Sequence, residues 1–325
     1  MSRARTIRIG LGLAAVAVLL SLPLWGGRAN MRLVIEICCY LTLAQMWNLL
    51  AGYAGIVSVG QQAWVGLGGY LMVSSALFLH INPLLAIPLA GLASALVAIP
   101  VGFLVFRLRG PYFAIGTWVV AEVFRLGFAQ VSPLGGGSGL SLPATVVRDM
   151  APNAATREGL IYYSAAGLAV GAVVLVYILL RRPIGLAFTA IRDSEEASSS
   201  LGVDTYRLKF VVWVLAAFGT ALAGGILFLQ KLRISPDAAF SVQDWTAFVI
   251  FIVVIGGLGA IEGPIVGVAL FFTLRSLLSN YGSWYLILLG LLATVVMLAA
   301  PKGLWGLVHG RTGWELFPLR RKLIR

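Results

Sequence analysis

Apolar runs of roughly 15–24 residues, cut by short clusters of charge, proline and glycine, recur along almost the whole chain, at about the length of helix needed to cross a bilayer core. They fall near residues 9–26, 33–53, 62–80, 83–106, 110–131, 159–180, 208–229, 243–260, 264–278 and 281–300. Inside lipid only helices and closed barrels satisfy their own backbone groups, and runs of this length read as helices. The pattern predicts an all-α polytopic membrane protein: about ten transmembrane helices, some broken or re-entrant, in a single domain covering 1–325. The first run follows Arg3, Arg5 and Arg8 as a signal peptide would. However, Leu24-Trp25-Gly26-Gly27-Arg28 is a poor small-residue cleavage site and another span follows at once, so this run is read as a retained first span.

Composition narrows the class. The chain is 60% hydrophobic and 11% charged, with a mean hydropathy of +0.95, whereas about a quarter of an ordinary soluble protein is charged. Its 24 Lys and Arg against 12 Asp and Glu give a net charge of +12. In so apolar a chain this excess serves topology and anionic lipid headgroups, not nucleic acid. With the N-terminus placed in the cytoplasm, sixteen of the 24 basic residues fall inside and six outside, namely Arg28, Arg32, Arg148, Arg157, Lys231 and Arg233; Arg125 and Arg275 lie within spans. Both termini, the 181–207 loop and a basic tail over 301–325 are then cytoplasmic.

Catalytic chemistry finds little to work with. Cys38 and Cys39 sit side by side in an apolar run, where they read as small packing residues. His80 and His309 are too far apart in sequence to suggest a zinc site or a histidine-based triad. None of the four lysines follows a glycine, so the chain lacks a P-loop. No metal or cofactor is expected, and if ATP drives the protein, another chain binds it.

Two glycine clusters interrupt the apolar pattern, Gly52 to Tyr70 and Gly256 to Gly267. Paired interruptions in the two halves of a chain point to a transport pathway. The cytoplasmic loop from Arg181 to Val203 reads as two short helices. Asp193 is placed as N-cap of the second with Glu196 completing a capping box, and Gly202 as its left-handed terminator. Leu186, Phe188, Ala190 and Ile191 give the first an apolar face that two turns cannot bury alone. It either packs on its own bundle or docks into a cytoplasmic partner, helix in groove.

The same loop carries a resemblance. Glu196-Ala197-Ser198-Ser199-Ser200-Leu201-Gly202 resembles the EAA-x-x-x-G signature of ABC importer permeases, with Ser198 in place of the second alanine. The flanking Gly185, Ala187, Phe188, Ala190, Ile191, Arg192 and Asp193, and Leu201-Gly202-Val203, resemble the branched-chain amino-acid permease family of the LivM type. Asn48 to Gly55 with Ser58, Gly60 and Gln61, Arg109 to Ile115 with Ala121-Glu122, and Gly256 to Gly259 with Gly263-Pro264 are similar to the same family. The chain departs from that pattern at Gly135 to Leu140, Trp64 and Trp118.

The resemblance implies a permease subunit of a bacterial inner-membrane importer for branched-chain or similar hydrophobic amino acids. It implies four kinds of neighbour: a second, related permease subunit, two cytoplasmic ATPase subunits that bind the ATP, an extracytoplasmic solute-binding protein, and the membrane lipids. On this reading Gly185, Ala187, Phe188, Ala190, Ile191, Arg192, Asp193, Glu196, Ala197 and Gly202 couple the permease to ATP hydrolysis. Urea, short amides or another amino acid are alternative cargoes. An ion-coupled secondary transporter is the rival class, against which stands the scarcity of acidic residues inside spans, Glu36 and Glu122 being the main ones.

Within the membrane, Glu122 and Arg125 are three residues apart and share a helix face, as an internal ion pair. Asn48, Ser58, Gln61 and Gln62 join them as expected pathway residues, because amides and opened backbone can hydrogen-bond a zwitterion. Arg32 and Glu36 have i, i+4 spacing near a span end, where snorkelling and simple anchoring explain them. Trp25, Trp47, Trp245, Trp284 and Trp305 read as interfacial anchors, and Glu262 as a helix cap.

Overall fold

The computed structural model describes residues 3–151, 153–278, 281–282, 284–300, 302–313 and 315–318. Its helices run in the order α1 Arg3–Trp25, α2 Arg28–Asn48, α3 Gln61–Phe78, α4 Pro83–Val105, α5 Pro111–Ala129, α6 Ala144–Met150, α7 Ala154–Arg181, α8 Pro183–Asp193, α9 Glu195–Ser200, α10 Thr205–Lys231, α11 Pro236–Ala239, α12 Phe248–Gly256, α13 Glu262–Leu278, α14 Trp284–Ala299 and α15 Gly303–Thr312. Two short strands, β1 Leu140–Ser141 and β2 Arg233–Ile234, pair antiparallel with Leu140 opposite Ile234.

Each of the ten apolar runs falls on a helix. Seven helical stretches among the described residues are long and apolar enough to cross a membrane: Arg28–Tyr53, Pro83–Val105, Pro111–Ala129, Ala154–Arg181, Thr205–Lys231, Pro236–Gly256 and Leu286–Thr312. The other three runs lie on shorter or more polar helices. They are α1, whose apolar part is Gly12–Trp25, α3, which opens on Gln61 and Gln62, and the 17-residue α13. The basic tail continues through α15, while Arg320, Arg321, Lys322 and Arg325 lie outside the described residues.

Local chemistry sets the helix ends. Asn82 caps α4 by accepting from the Leu84 N–H at 3.0 Å, with Pro83 following at the position where a missing N–H is harmless. Asn153 and Asp204 cap α7 and α10 in the same way, at 2.8 and 3.0 Å. Helix α2 ends differently: over Leu49–Tyr53 it widens, the Ala54 N–H donating to the Leu49 carbonyl at 3.2 Å. Such i→i+5 turns tend to mark functional breaks.

The core lies along α2, α3, α10 and α12, and α3 is covered on nearly every side. Close approach of α3 and α10 depends on small residues. Gly68 lies against the backbone of Ala221 and Gly224 against that of Val65, with no room at either for a β-carbon. Helix α5 sits at the rim: 17% of its most apolar stretch is buried, against 72% for the stretch containing α2.

The two ends of the bundle can be told apart by their contacts. At one end Arg32 and Arg28 meet Glu158 at 2.7 and 3.6 Å, the Gln230 amide donates to the Arg32 carbonyl at 3.0 Å, and β1 pairs with β2. At the other, Arg192 meets Gly52 and Lys209 meets Glu195. About 20 helical residues at 1.5 Å each, some 30 Å, separate the two groups along α2.

Arg32 and Glu36 therefore do not pair. Arg32 turns to Glu158, and Glu36 accepts from Arg275 on α13 at 2.7 Å. Nor are all the tryptophans anchors. Trp25 and Trp284 are exposed, but Trp47 and Trp245 are buried and donate to the carbonyls of Ser58 and Ala238 at 2.8 and 2.7 Å.

Candidate functional site

Pro183 starts α8, and the extended Arg182 before it separates the new helix from α7. Phe188 and Ile191 are almost fully buried, Phe188 against the chain's own bundle in one cluster with Leu49, Leu50, Tyr53 and Leu180. The groove that this helix requires is thus supplied from within the chain. Leu186, placed on the apolar face by its spacing, is exposed, because it lies two residues and so about 200° from Phe188. Gly185 is buried with Phe188 and Ile191, and Ala187 and Ala190 are half-buried.

The expected N-cap is shifted by one residue. Ser194, not Asp193, caps α9, accepting from the Ala197 N–H at 3.3 Å, while Asp193 ends α8 and pairs with Arg192 at 3.1 Å. Glu196 is exposed and does not close a box. Ser198 is buried and donates its hydroxyl to the Ser194 carbonyl at 2.8 Å. Gly202 ends the helix in the left-handed conformation at φ +85°, its N–H on the Ser199 carbonyl at 2.9 Å. Arg192, Asp193, Glu196, Ala197 and Gly202 stay open to the outside.

Arg192 ties this segment to the membrane part, donating from Nη1 to the Gly52 carbonyl in the widened turn at 3.1 Å. The other glycine cluster lies beside it. Asn48 accepts from the Gly259 N–H at 2.9 Å and donates to the Ala260 carbonyl at 2.9 Å, and Gln45 donates to the Ile261 carbonyl at 2.8 Å. The two breaks in the apolar pattern, about two hundred residues apart, thus complete each other's hydrogen bonding. A cleft of about 1260 Å³ opens next to them, walled by Gly55–Val57, the Leu108–Pro111 connection, Ser194–Glu196 and Thr205–Lys209. Its charges are Arg109, Glu195, Glu196 and Lys209, of which Lys209 and Glu195 pair at 2.7 Å.

The polar residues expected along a pathway divide into two groups. Asn48, Ser58, Gln61 and Gln62 are buried and engaged inside the chain. Gln61 donates to Thr220 Oγ1 at 2.7 Å, Gln62 Oε1 accepts from Thr246, and Ser58 Oγ accepts from the Gly60 N–H at 3.2 Å. Glu122 and Arg125 instead lie on the open flank of α5, paired at 2.6 Å. A residue that spacing alone could not connect joins them: Asp237 on α11 meets Arg125 Nη1 at 2.6 Å. Glu262, expected as a cap, accepts the N–H groups of Leu316 and Phe317 at 2.9 and 2.8 Å and so binds the C-terminal tail.

Comparison with known proteins adds the lineage. The family described as "Branched-chain amino acid transport system / permease component" matches residues 31–301. The high-affinity branched-chain amino acid transport system permease protein LivM of Salmonella typhimurium is 27% identical over 314 residues, 90% of this chain and 73% of that protein. Its Escherichia coli counterpart is 27% identical over 322 residues, 92% of this chain and 75% of that protein. A probable LivM of Methanocaldococcus jannaschii is 25% identical over 281 residues, 74% of this chain and 79% of that protein. No solved structure matches the chain.

Proposed function

The chain belongs to the permease-component family of branched-chain amino acid transport systems, and from that premise we propose that it is the membrane-spanning subunit of an ATP-driven importer of branched-chain amino acids. It works in a bacterial inner membrane, crosses it about ten times with both termini in the cytoplasm, and performs no covalent chemistry. A second permease subunit of the same family completes the passage. Two cytoplasmic ATPase subunits bind the ATP, and an extracytoplasmic solute-binding protein delivers the amino acid.

One observation carries the reading of how ATP is coupled. The α8–α9 segment presents Arg192, Asp193, Glu196, Ala197 and Gly202 outward, yet Arg192 also holds the carbonyl of Gly52 in the turn where α2 is broken. That turn is bound through Asn48 to the second break at Gly259 and Ala260. When the ATPases close, they displace α8–α9, and both breaks move together with α2 and α13. Helices hinged there rock as bodies and expose the passage to one side and then the other.

Co-purification from native membranes with identification of the bound chains, together with uptake of labelled leucine with and without ATP, tests the proposal. ATPase subunits in the complex and ATP-dependent uptake are expected. A chain that purifies alone and transports without ATP would refute it. Gly202→Val, which forces a β-branched residue to φ +85°, should reduce ATP-driven uptake while leaving membrane insertion intact.

A further inference from the structure

Helix α5 combines two properties that conflict in lipid. Of the seven candidate spans it is the least covered by the rest of the chain, and its open flank is charged. Charged groups inside a membrane face a protein interior or a water-filled passage, not the acyl chains. Trp118, Glu122 and Arg125 stand at i, i+4 and i+7, one face of the helix, and Trp118 is 47% exposed. Asp237 closes the group from α11, its side chain 78% exposed. All of this lies in the half of the bundle remote from α8–α9, since α5 runs from the cleft at Pro111 toward Ala129.

The three charges do not cancel. Two carboxylates surround one guanidinium, so the trio keeps one negative charge. Arg125 uses Nε and Nη2 on Glu122 and Nη1 on Asp237. Of the five N–H groups of a guanidinium, two then remain to donate. A surplus carboxylate charge suits an ammonium group, and spare guanidinium donors suit a carboxylate. The indole one turn away offers an apolar surface for an aliphatic side chain. Behind the trio, the Tyr70 hydroxyl is fully buried without a hydrogen-bond partner, and its ring stacks on Phe128 and Phe240.

We propose that Trp118, Glu122, Arg125 and Asp237 hold the zwitterionic head and aliphatic side chain of a free α-amino acid as it crosses, the second permease closing the open side. The proposal rests on the importer reading. The ammonium group displaces Arg125 from one carboxylate as the cargo's own carboxylate takes the freed donors, so every charge keeps an opposite neighbour. Urea and neutral amides lack this pairing and gain nothing from it.

The complete importer, reconstituted with its binding protein in vesicles enclosing ATP, is assayed for initial uptake of labelled leucine and labelled alanine. Asp237→Asn is expected to slow both about tenfold, the value of one charged hydrogen bond, and Asp237→Glu to recover most of the loss. Trp118→Ala is expected to shift the alanine-to-leucine ratio several-fold toward alanine. The binding protein is common to all variants, so a change in that ratio belongs to the permease. Wild-type rates for Asp237→Asn, or an unchanged ratio for Trp118→Ala, would overturn the proposal. So would loss of the second permease from the Asp237→Asn complex on size-exclusion chromatography, which would make the trio a lock between subunits. An unaltered importer that fails to move leucine with ATP would instead refute the importer reading itself.

Discussion

Asn48 and Tyr53 are both buried polar residues at the broken end of α2, and their substitutions should behave in opposite ways. Asn48 serves two backbone groups, the Gly259 N–H and the Ala260 carbonyl. Asn48→Ala would leave both unpaired, at a cost of about 1–3 kcal/mol. The Tyr53 hydroxyl is buried with no partner, so Tyr53→Phe should leave stability unchanged or slightly raised. Thermal unfolding of the two purified variants in one detergent separates these outcomes, and a lower midpoint for Tyr53→Phe would mean its hydroxyl is satisfied. At this scale the sequence reveals which residues are unusual but not what they bind. Asn48 and Gln61 stand out as polar among apolar neighbours, whereas nothing in the spacing links them to their partners Gly259 and Thr220, 211 and 159 positions further along. Local spacing even misleads: Arg32 and Glu36 could reach each other, yet each takes a partner from another helix.

Among the elements, the two short helices between α7 and α10 were legible, including the terminator at Gly202. The cap was misplaced because Asp193 and Ser194 are both good N-caps, and Asp193 is held in the last turn of α8 through Arg192. Ser194→Ala should therefore lower the local stability of α9 by about 1 kcal/mol, while Asp193→Ala should have no capping effect. Amide hydrogen exchange over residues 197–200 reads the difference; faster exchange in Asp193→Ala than in Ser194→Ala would restore the original assignment. The glycine clusters foretold a departure from plain helix, but not that α3 would be packed on nearly all sides. Gly68→Ala inserts a methyl group against the Ala221 backbone. Overpacking of this kind costs about 1–3 kcal/mol, visible as a lower unfolding midpoint than that of Gly127→Ala, where nothing lies within 4 Å.

For the molecule as a whole, each of the ten apolar runs falls on a helix, and seven helical stretches among the described residues are long and apolar enough to cross a membrane, a length that sequence displays directly. The relation between helices was hidden, since inside lipid small-residue contacts and scattered hydrogen bonds decide it. The C-terminal tail is an example. Glu262 binds the backbone at Leu316 and Phe317, and Phe317 packs on Tyr177 of α7 at 5.5 Å between ring centroids. Glu262→Ala should release this strap, so that limited trypsin digestion cuts after Arg311 several-fold sooner than in the unaltered protein. Equal cleavage rates would show that Glu262 does not hold the tail.

The mutual satisfaction of the two breaks also has a consequence for how the protein is made. Asn48 and Gln45 find their partners 211 to 216 positions further along the chain. At about 5–20 residues per second, α2 enters the membrane some 10–40 s before Gly259 to Ile261 leave the ribosome. For that interval its amides depend on water or on the insertion machinery, and the first half of the bundle waits, inserted but unfinished, for a loop from the second.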